Sequence, residues 1–214
     1  MPTTATDATA TTSHRLKTET AHLHRLAEES PLQRDLAKGR LPREQYARHL
    51  GQMLHVHERL EDRLWRLRGV VEAIGQVVRD EHSRVEALRA DLEHFGLSAS
   101  DCPASEPTRA LLADIDRLAE DRPLALLGMH YVLEGSMNGA KFIAMNVRPA
   151  YGLEAGSGDR YLDPYGDRQR EVWAAFKRDL DACELSGAQV EDLLHGAGRM
   201  FDGVREVGEG AEAS

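Results

Sequence analysis

The most apolar stretch of the chain is LALLGMHYVLEGSMNGAKFIAMNV, residues 124–147. Its apolar side chains recur three and four positions apart, and it is long enough for about six turns of α-helix. Pro123 is a favoured first residue for a helix, and Arg148-Pro149 is expected to end it. The same spacing continues through most of the chain, without the alternation of a β-strand. The sequence therefore predicts an all-α fold.

Composition narrows the class of protein. A chain of 214 residues with 41% hydrophobic content can bury one substantial core, so we expect a single domain. The net charge of -9 argues against a nucleic-acid or anionic-membrane binder, because phosphate groups are bound by concentrated Lys and Arg. Cys102 and Cys183 are too few for a disulfide scaffold. With no apolar run of ~20 residues and no signal-peptide pattern, a cytoplasmic protein without a membrane span is expected.

The ends of the chain differ from its middle. Residues 1–13 and 208–214 are poor in core-forming residues and are predicted to be disordered, which leaves one folded domain over residues 14–207. Apart from the apolar stretch, helices are predicted over 13–29, 42–69, 77–95, 107–120 and 186–207, and around Val172–Leu180. Residues 97–107 and 151–165 are predicted to be loops.

Three residues of the first predicted helix carry possible metal chemistry. Thr20, His24 and Glu28 are spaced four apart, so they project from one helix face. If one imidazole nitrogen of His24 binds a metal, the Glu28 carboxylate or the Thr20 hydroxyl can orient the ring through the other nitrogen. The alternative is a surface helix that carries a histidine and an unrelated acid. The spacing alone does not separate the two.

Glycines interrupt the long apolar helix. Gly128, Gly135 and Gly139 fall within roughly 40° of one another, so one face of the helix has no side chains. Three glycines cost about 2–3 kcal/mol relative to alanine, which indicates that something approaches this backbone closely. That partner is either another helix or a flat ligand. Ser136 and Asn138 flank the stripe, where they border a ligand pocket or contact solvent.

Together these two helices predict the walls of a slot for a planar, metal-containing macrocycle. The run Leu16-Lys17-x-x-Thr20-x-x-x-His24-x-x-Ala27-Glu28 resembles the proximal half of a heme oxygenase. The run Leu127-Gly128-x-x-Tyr131-Val132-Leu133-Glu134-Gly135-Ser136 resembles the distal helix of the bacterial branch often found beside bacteriophytochromes. The later motifs Tyr161-Leu162-x-Pro164-Tyr165-Gly166, Trp173-x-x-Phe176 and Phe201 are similar to the same branch, so the resemblance covers residues 14–206.

The resemblance implies a single-domain heme oxygenase-like helical bundle, with heme held between a proximal helix and a glycine-bent distal helix. His24 would be the protein ligand of the heme iron, steadied by Thr20 and Glu28. Gly135 and Gly139 would let the distal helix approach the heme face.

Lys17 and Lys177 match basic positions of the family that hold the heme propionates. The implied reaction cleaves heme, both substrate and cofactor, to biliverdin, ferrous iron and carbon monoxide. It consumes oxygen and electrons from an external donor such as ferredoxin or a flavin reductase, and its product suggests a functional link to a bacteriophytochrome.

The distal turn departs from the family pattern. Ser136 occupies a position that is Asp in the animal enzymes and Ser in some bacterial members, so the distal water network must be anchored differently. Ala140 replaces the second glycine of the familiar distal pair. The altered Asn138-Gly139-Ala140 turn therefore leaves open a heme carrier or sensor that does not turn heme over.

Other histidines and acids support weaker hypotheses. His130 lies at about 200° from Gly128 on an ideal helix, so it faces away from the glycines and is expected to be structural. His55 and His57 are two residues apart, a poor spacing for a shared helical metal site. A non-heme di-iron oxidase is a further alternative; its candidate ligands are Glu58, Glu61, Asp80 and His82, which form no clear ligand set.

Overall fold

The computed structural model describes residues 10–212, and this part of the chain forms ten α-helices and no β-strand. The helices are α1 (Thr12–Glu19), α2 (Ala21–Glu28), α3 (Pro31–Ala37), α4 (Arg43–Leu67), α5 (Glu72–Val77), α6 (Val85–His94), α7 (Glu106–Asp121), α8 (Ala125–Tyr151), α9 (Gln169–Asp181) and α10 (Gly187–Glu212). Short 3₁₀ turns occupy Asp80–His82, Ala99–Asp101 and Gly166–Arg168. The all-α prediction is confirmed.

Helix α8, the apolar stretch, lies at the centre of the bundle. Every residue from Ala125 to Glu134 is buried, and the helix packs along α10 and also contacts α3, α4, α7 and α9. At the crossing with α10, a Cβ atom on Gly128 would collide with the carbonyl oxygen of Leu193, and one on Gly196 would collide with that of Ala125. Glycine is therefore required at both positions, because backbone meets backbone there.

The first predicted helix is two helices in the structure. Thr20 separates α1 from α2, with φ -98° and ψ 3° and with its hydroxyl donating to the carbonyl of Leu16 at 2.6 Å. Such a back-bond competes with the regular helix, which explains why the chain turns here. The N-cap of α1 is Thr11, two residues before the predicted helix start at Ser13. The N–H and hydroxyl of Ser13 both donate to the Asp181 carboxylate at 2.7 Å.

The prediction of one helix over 77–95 is wrong. That segment contains the last residue of α5, a 3₁₀ turn and α6. The Ser83 hydroxyl and the Arg84 N–H donate to the buried Glu61 carboxylate at 2.6 and 2.8 Å. Because Glu61 takes this N–H, the segment before α6 is held in a tight connection instead of a continuous helix.

Both ends of the helical domain extend further than predicted. Thr12 and Ser13 belong to α1, while residues 1–9 of the expected N-terminal tail lie outside the described residues. Helix α10 continues to Glu212, so residues 208–212 of the expected C-terminal tail are helical. The bare backbone of Gly208 lies against Leu32 and that of Gly210 against Pro107, which lets α10 follow the bundle to its end.

Helix α8 does not end at Arg148-Pro149 as expected. It continues to Tyr151 and ends at Gly152, a left-handed residue with φ 66°. Glycine is the residue that best tolerates this conformation, which closes a helix C-terminus.

Candidate functional site

A cavity of about 400 Å³ lies between α2, α3, α4, α8 and α10, within the size range of ligand sites. His24 and Glu28 of α2 line one side, and Gly135, Ser136 and Gly139 of α8 line another. Leu36 and Phe201 are buried lining residues. We refer to the part of the cavity that is lined by the other buried residues as its inner end: His49, Met53, Val132, Leu133, Met137, Ala140, Tyr161 and Leu162. The structure thus brings the two sequence motifs to the same cavity.

His24 lies at the edge of this cavity, between Glu28 and Phe201. Its ring lies edge-on to Phe201, with ring centroids 5.7 Å apart, and its Nδ1 is 3.4 Å from Oε2 of Glu28. Within residues 10–212, Nε2 has no hydrogen-bond partner. The side chain is about half exposed, at 53%. His24 therefore presents an available ring nitrogen to a ligand while Glu28 faces the other.

The Thr20 side chain has no hydrogen bond to the His24 ring among the described residues. Its hydroxyl is used by the carbonyl of Leu16, and the residue instead lines a second hollow outside the first. Thr20 separates α1 from α2 one turn before His24, and its role beside the ring stays a prediction.

The three glycines of α8 do not serve one purpose. Gly128 contacts α10 and does not line the cavity. A Cβ atom on Gly135 would lie 3.2 Å from the Trp173 ring, whereas one on Gly139 would meet no atom within 4 Å. Of the three, only Gly139 leaves open space beside the backbone. Helix packing accounts for Gly128, and a flat ligand at Gly139 stays a prediction.

The polar residues of the distal turn bond to their own helix. The Ser136 hydroxyl donates to the Leu133 carbonyl at 2.7 Å, and the Asn138 amide donates to the Gly135 carbonyl at 2.9 Å. Ala140, which replaces a familiar glycine, is buried at the inner end of the cavity. Its methyl group narrows the cavity relative to glycine.

Basic side chains surround the outer hollow. This space of about 710 Å³ shares the lining residues His24, Val132, Gly135, Ser136 and Phe201 with the first cavity, so the two are adjacent. Lys17 of α1 and Lys177 of α9 both line it, and Nζ of Lys177 is 5.5 Å from the Trp173 ring centroid. Sequence reasoning did not identify His14 and Arg25, which line the same hollow, or Arg205, which lines the first cavity.

His49 of α4 is a cavity residue that the sequence analysis missed. Its side chain is buried, and burial lowers the pKa of the ring to about 4, so the imidazole is neutral near pH 7. The pattern of α4 contained a signal for it. His49 lies among Tyr46, Leu50 and Met53, which are all buried, so a polar residue occupies the apolar stripe of the helix.

A buried polar network lies behind the cavity wall. The hydroxyl of Tyr161, a lining residue, is 3.3 Å from Nε2 of His57, and Nδ1 of His57 is 3.1 Å from Oε1 of Glu61. Arg84 donates its N–H to Glu61 and pairs its guanidinium with Glu134 at 3.1 Å. His57 and Glu61 therefore position the wall through Tyr161, a role that their sequence positions alone did not reveal.

Burial and charge oppose each other in this network. Burial raises the pKa of Glu61, but hydrogen bonds from His57, Ser83 and Arg84 outweigh it and lower the pKa overall. Burial raises the pKa of Glu134, and the adjacent Arg84 reduces that rise. Burial also lowers the pKa of His57. The histidine is therefore neutral at physiological pH.

The structure also bears on the remaining sequence hypotheses, which concern His130, a di-iron site and a membrane span. His130 is buried, and its Nε2 is 3.4 Å from Nδ1 of His82. No group of three or more His, Cys, Asp or Glu side chains in the described part of the chain is arranged to hold a metal ion. Of the di-iron candidates, Glu58 pairs with Arg89 at 2.7 Å, and Asp80 pairs with Arg68 at 3.2 Å. Between residues 10 and 212, no helix is both long and apolar enough to cross a membrane.

Fold and site define an all-helical protein with a cavity between a histidine-bearing helix and a glycine-bearing helix. The chain belongs to the heme oxygenase family, whose model matches residues 10–209. No curated protein matched the chain.

Solved structures share the fold. Heme oxygenase from Leptospira interrogans is 23% identical, with a TM-score of 0.85 over 93% of this chain and 98% of that one. Heme oxygenase-2 from Synechocystis, solved in complex with heme and NO, is 21% identical, with a TM-score of 0.89 over 95% of this chain and 86% of that one. Heme oxygenase-1 from the same cyanobacterium, in complex with heme, is 16% identical with a TM-score of 0.86, over 95% and 93% of the two chains.

Proposed function

We propose that this protein is a heme oxygenase that cleaves heme to biliverdin, ferrous iron and carbon monoxide, using oxygen and external electrons. One observation carries the proposal beyond family membership. His24 and Gly139 line the same cavity, one with an available ring nitrogen and the other with bare helix backbone. Heme is both substrate and cofactor, and when bound it supplies the redox-active iron.

The cavity residues fit a flat, largely apolar ligand. Apart from His49 and Tyr161, the inner end is formed by Met53, Ala140, Leu162 and other apolar side chains. Such a lining excludes water from the buried edge of a macrocycle and leaves its polar substituents at the cavity mouth. Lys17 and Lys177 at the outer hollow provide cations for the propionates there.

His24 is the residue we assign as iron ligand, through Nε2. A metal-bound imidazole is oriented by whatever its other nitrogen contacts, and Glu28 Oε2 lies 3.4 Å from Nδ1. The edge-on Phe201 ring restricts the rotation of the imidazole. Glu28 and Phe201 are therefore positioning residues for His24.

The glycines of α8 shape the opposite wall. Gly139 keeps open space next to the backbone, and Gly135 lets the Trp173 ring approach the helix. The Ser136 hydroxyl, whose hydrogen is donated to Leu133, retains oxygen lone pairs that can accept a hydrogen bond from water. We assign Gly135, Ser136 and Gly139 to the distal side of the reaction site.

The sequence motifs support further proposals on biological context. Their similarity to the bacteriophytochrome-associated branch favours biliverdin as a chromophore for such a receptor. The electron donor would be a ferredoxin or a flavin reductase, and the location cytoplasmic. Reduction of the complex by candidate donors, and chromophore transfer to a bacteriophytochrome, would test the first two proposals.

An optical titration with hemin tests the main proposal. Wild type, His24→Ala and the control His22→Ala, which changes an exposed histidine of the same helix, are titrated and then given reductant in air. Wild type and His22→Ala should bind hemin and form biliverdin, whereas His24→Ala should show an altered Soret band and no turnover. Stable, unreacted heme in wild type would instead indicate a carrier or sensor, the alternative favoured by the Asn138-Gly139-Ala140 turn.

A further inference from the structure

The imidazole of His49, at the inner end of the cavity, has no hydrogen-bond partner among the described residues. His49 lines the cavity and is 5% exposed. Its Nδ1 is fully buried without a partner, and no side chain or backbone group among residues 10–212 hydrogen-bonds either ring nitrogen. Buried polar groups nearly always have a partner, which is a protein group or an ordered water.

The surroundings of His49 exclude a hidden protein partner. The buried residues that share this end of the cavity are mainly apolar, including Met53, Met137 and Leu162. The other polar group there, the Tyr161 hydroxyl, already faces His57 at 3.3 Å. Because the described protein groups supply no partner, the contents of the cavity that His49 lines are the remaining source of one.

The chemistry of a neutral imidazole defines this partner. It offers one N–H donor and one acceptor nitrogen, which point in different directions. Either nitrogen suits a small neutral molecule that can accept or donate a hydrogen bond, as water does. Carboxylate groups of a ligand are better placed at the outer hollow, where Lys17 and Lys177 lie. A cavity of about 400 Å³ has room for ordered water at its end.

We propose that the His49 imidazole holds an ordered water molecule at the inner end of the cavity and keeps it beside bound heme. The first part concerns the protein alone, and the second rests on the proposed function. His49 is then a positioning residue for cavity water, in a protein whose Ser136 lacks the carboxylate that anchors such water in the animal enzymes. The neutral His49 side chain on α4 then holds water that a carboxylate on the distal helix holds in the animal enzymes.

The first test uses the ligand-free protein. Histidine labelled with ¹⁵N should show one ring nitrogen of His49 in a hydrogen-bonded position, with a cross-relaxation peak to long-lived water. Both features disappear in His49→Leu if the assignment is correct. A free acceptor nitrogen and no water peak in folded wild type would overturn the proposal, whatever the heme experiments give.

The second test uses carbon monoxide as a probe of the ferrous heme complex. The variants are His49→Leu, the polar replacement His49→Gln, and the control Arg48→Leu, which changes an exposed residue of α4 that does not line the cavity. His49→Leu should shift the C–O stretching frequency toward that of an apolar pocket, His49→Gln should restore most of the wild-type frequency, and Arg48→Leu should resemble wild type. An unshifted His49→Leu spectrum would overturn the placement beside heme. Failure of wild type to bind heme would refute the proposed function and leave the ligand-free test to decide the water site.

Discussion

Arg84 and Glu134 form an ion pair of 3.1 Å in which the two side chains are only 3% and 2% exposed. Glu134 directly precedes Gly135 on α8, and Arg84 opens α6, so the pair fixes the distal helix against the opposite side of the bundle. The guanidinium also lies 4.4 Å from the centroid of the Tyr165 ring. Charges this deeply buried are stable only while both partners are present.

Replacing one partner should therefore cost more than replacing both. Glu134→Leu leaves an unpaired buried guanidinium and is expected to lower the free energy of unfolding by about 3–5 kcal/mol. The double variant Arg84→Met with Glu134→Leu should recover most of this loss, because no uncompensated charge remains. Urea unfolding of the heme-free proteins measures both. Equal destabilisation by the single and double variants would contradict the assignment of the pair.

A second prediction concerns pH and the buried His82. Burial, aided by the positive charge of Arg84, lowers the pKa of its ring to about 4 in the folded protein. The unfolded chain therefore binds a proton between about pH 6.5 and 4 that the folded chain does not. The free energy of unfolding should fall as pH falls through this window, with His82 contributing about 1.4 kcal/mol per pH unit.

The variant His82→Asn tests this contribution. Asparagine keeps a side-chain acceptor for the N–H of Arg79, which donates to Nδ1 of His82 at 3.2 Å. The slope of the free energy of unfolding against pH should decrease by about one proton between pH 6.5 and 4. The control is His195→Asn, which changes an exposed histidine. A slope equal to that of wild type in His82→Asn would refute the assignment.

Two glycines of α8 should respond oppositely to the same substitution. Gly128→Ala places a methyl group in the backbone of α10 and is expected to cost about 3 kcal/mol or more of folding stability. Gly139→Ala meets no atom within 4 Å and should raise stability by about 1 kcal/mol through helix propensity. Thermal unfolding of the heme-free proteins measures both effects.

The Gly139 variant also tests the ligand assignment. Because its methyl group projects into the cavity, hemin affinity should fall, by about tenfold for a loss of ~1.4 kcal/mol. Improved stability with undiminished hemin affinity would show that the open space at Gly139 is not used by the ligand.

These glycines illustrate what the sequence can and cannot predict. The spacing of the residues predicted a helix with one face free of side chains. The resemblance to heme oxygenases predicted that Gly139 and His24 lie at one site. It could not distinguish Gly128 from Gly139, because their different surroundings are created by α10, far along the chain. The spacing also did not reveal the helix break at Thr20. The residues on both sides follow one regular helical pattern, and the hydrogen bond from the Thr20 hydroxyl to Leu16 is visible only in the structure.

Buried polar residues were the hardest to predict. The spacing of His57 and Glu61 is visible in the sequence, but their partners Ser83 and Tyr161 come from other segments. His49 could have been noticed as a histidine in an apolar stripe. Its position beside a cavity depends on α8 and the segment at Leu162, which only the folded structure brings together.

The last prediction concerns the two lysines at the outer hollow. Lys17 and Lys177 come from α1 and α9, and both line the outer hollow, which is adjacent to the cavity at His24. If they pair with the propionates, Lys17→Ala and Lys177→Ala should each weaken hemin binding by about three- to tenfold, since partly exposed ion pairs contribute ~1 kcal/mol. Hemin dimethyl ester, which lacks the negative charges, should bind the variants and wild type equally. Lys38→Ala, a change of an exposed lysine outside both hollows, serves as the control. Equal losses for hemin and its ester would indicate that the lysines support the fold of this edge rather than the charge of the ligand.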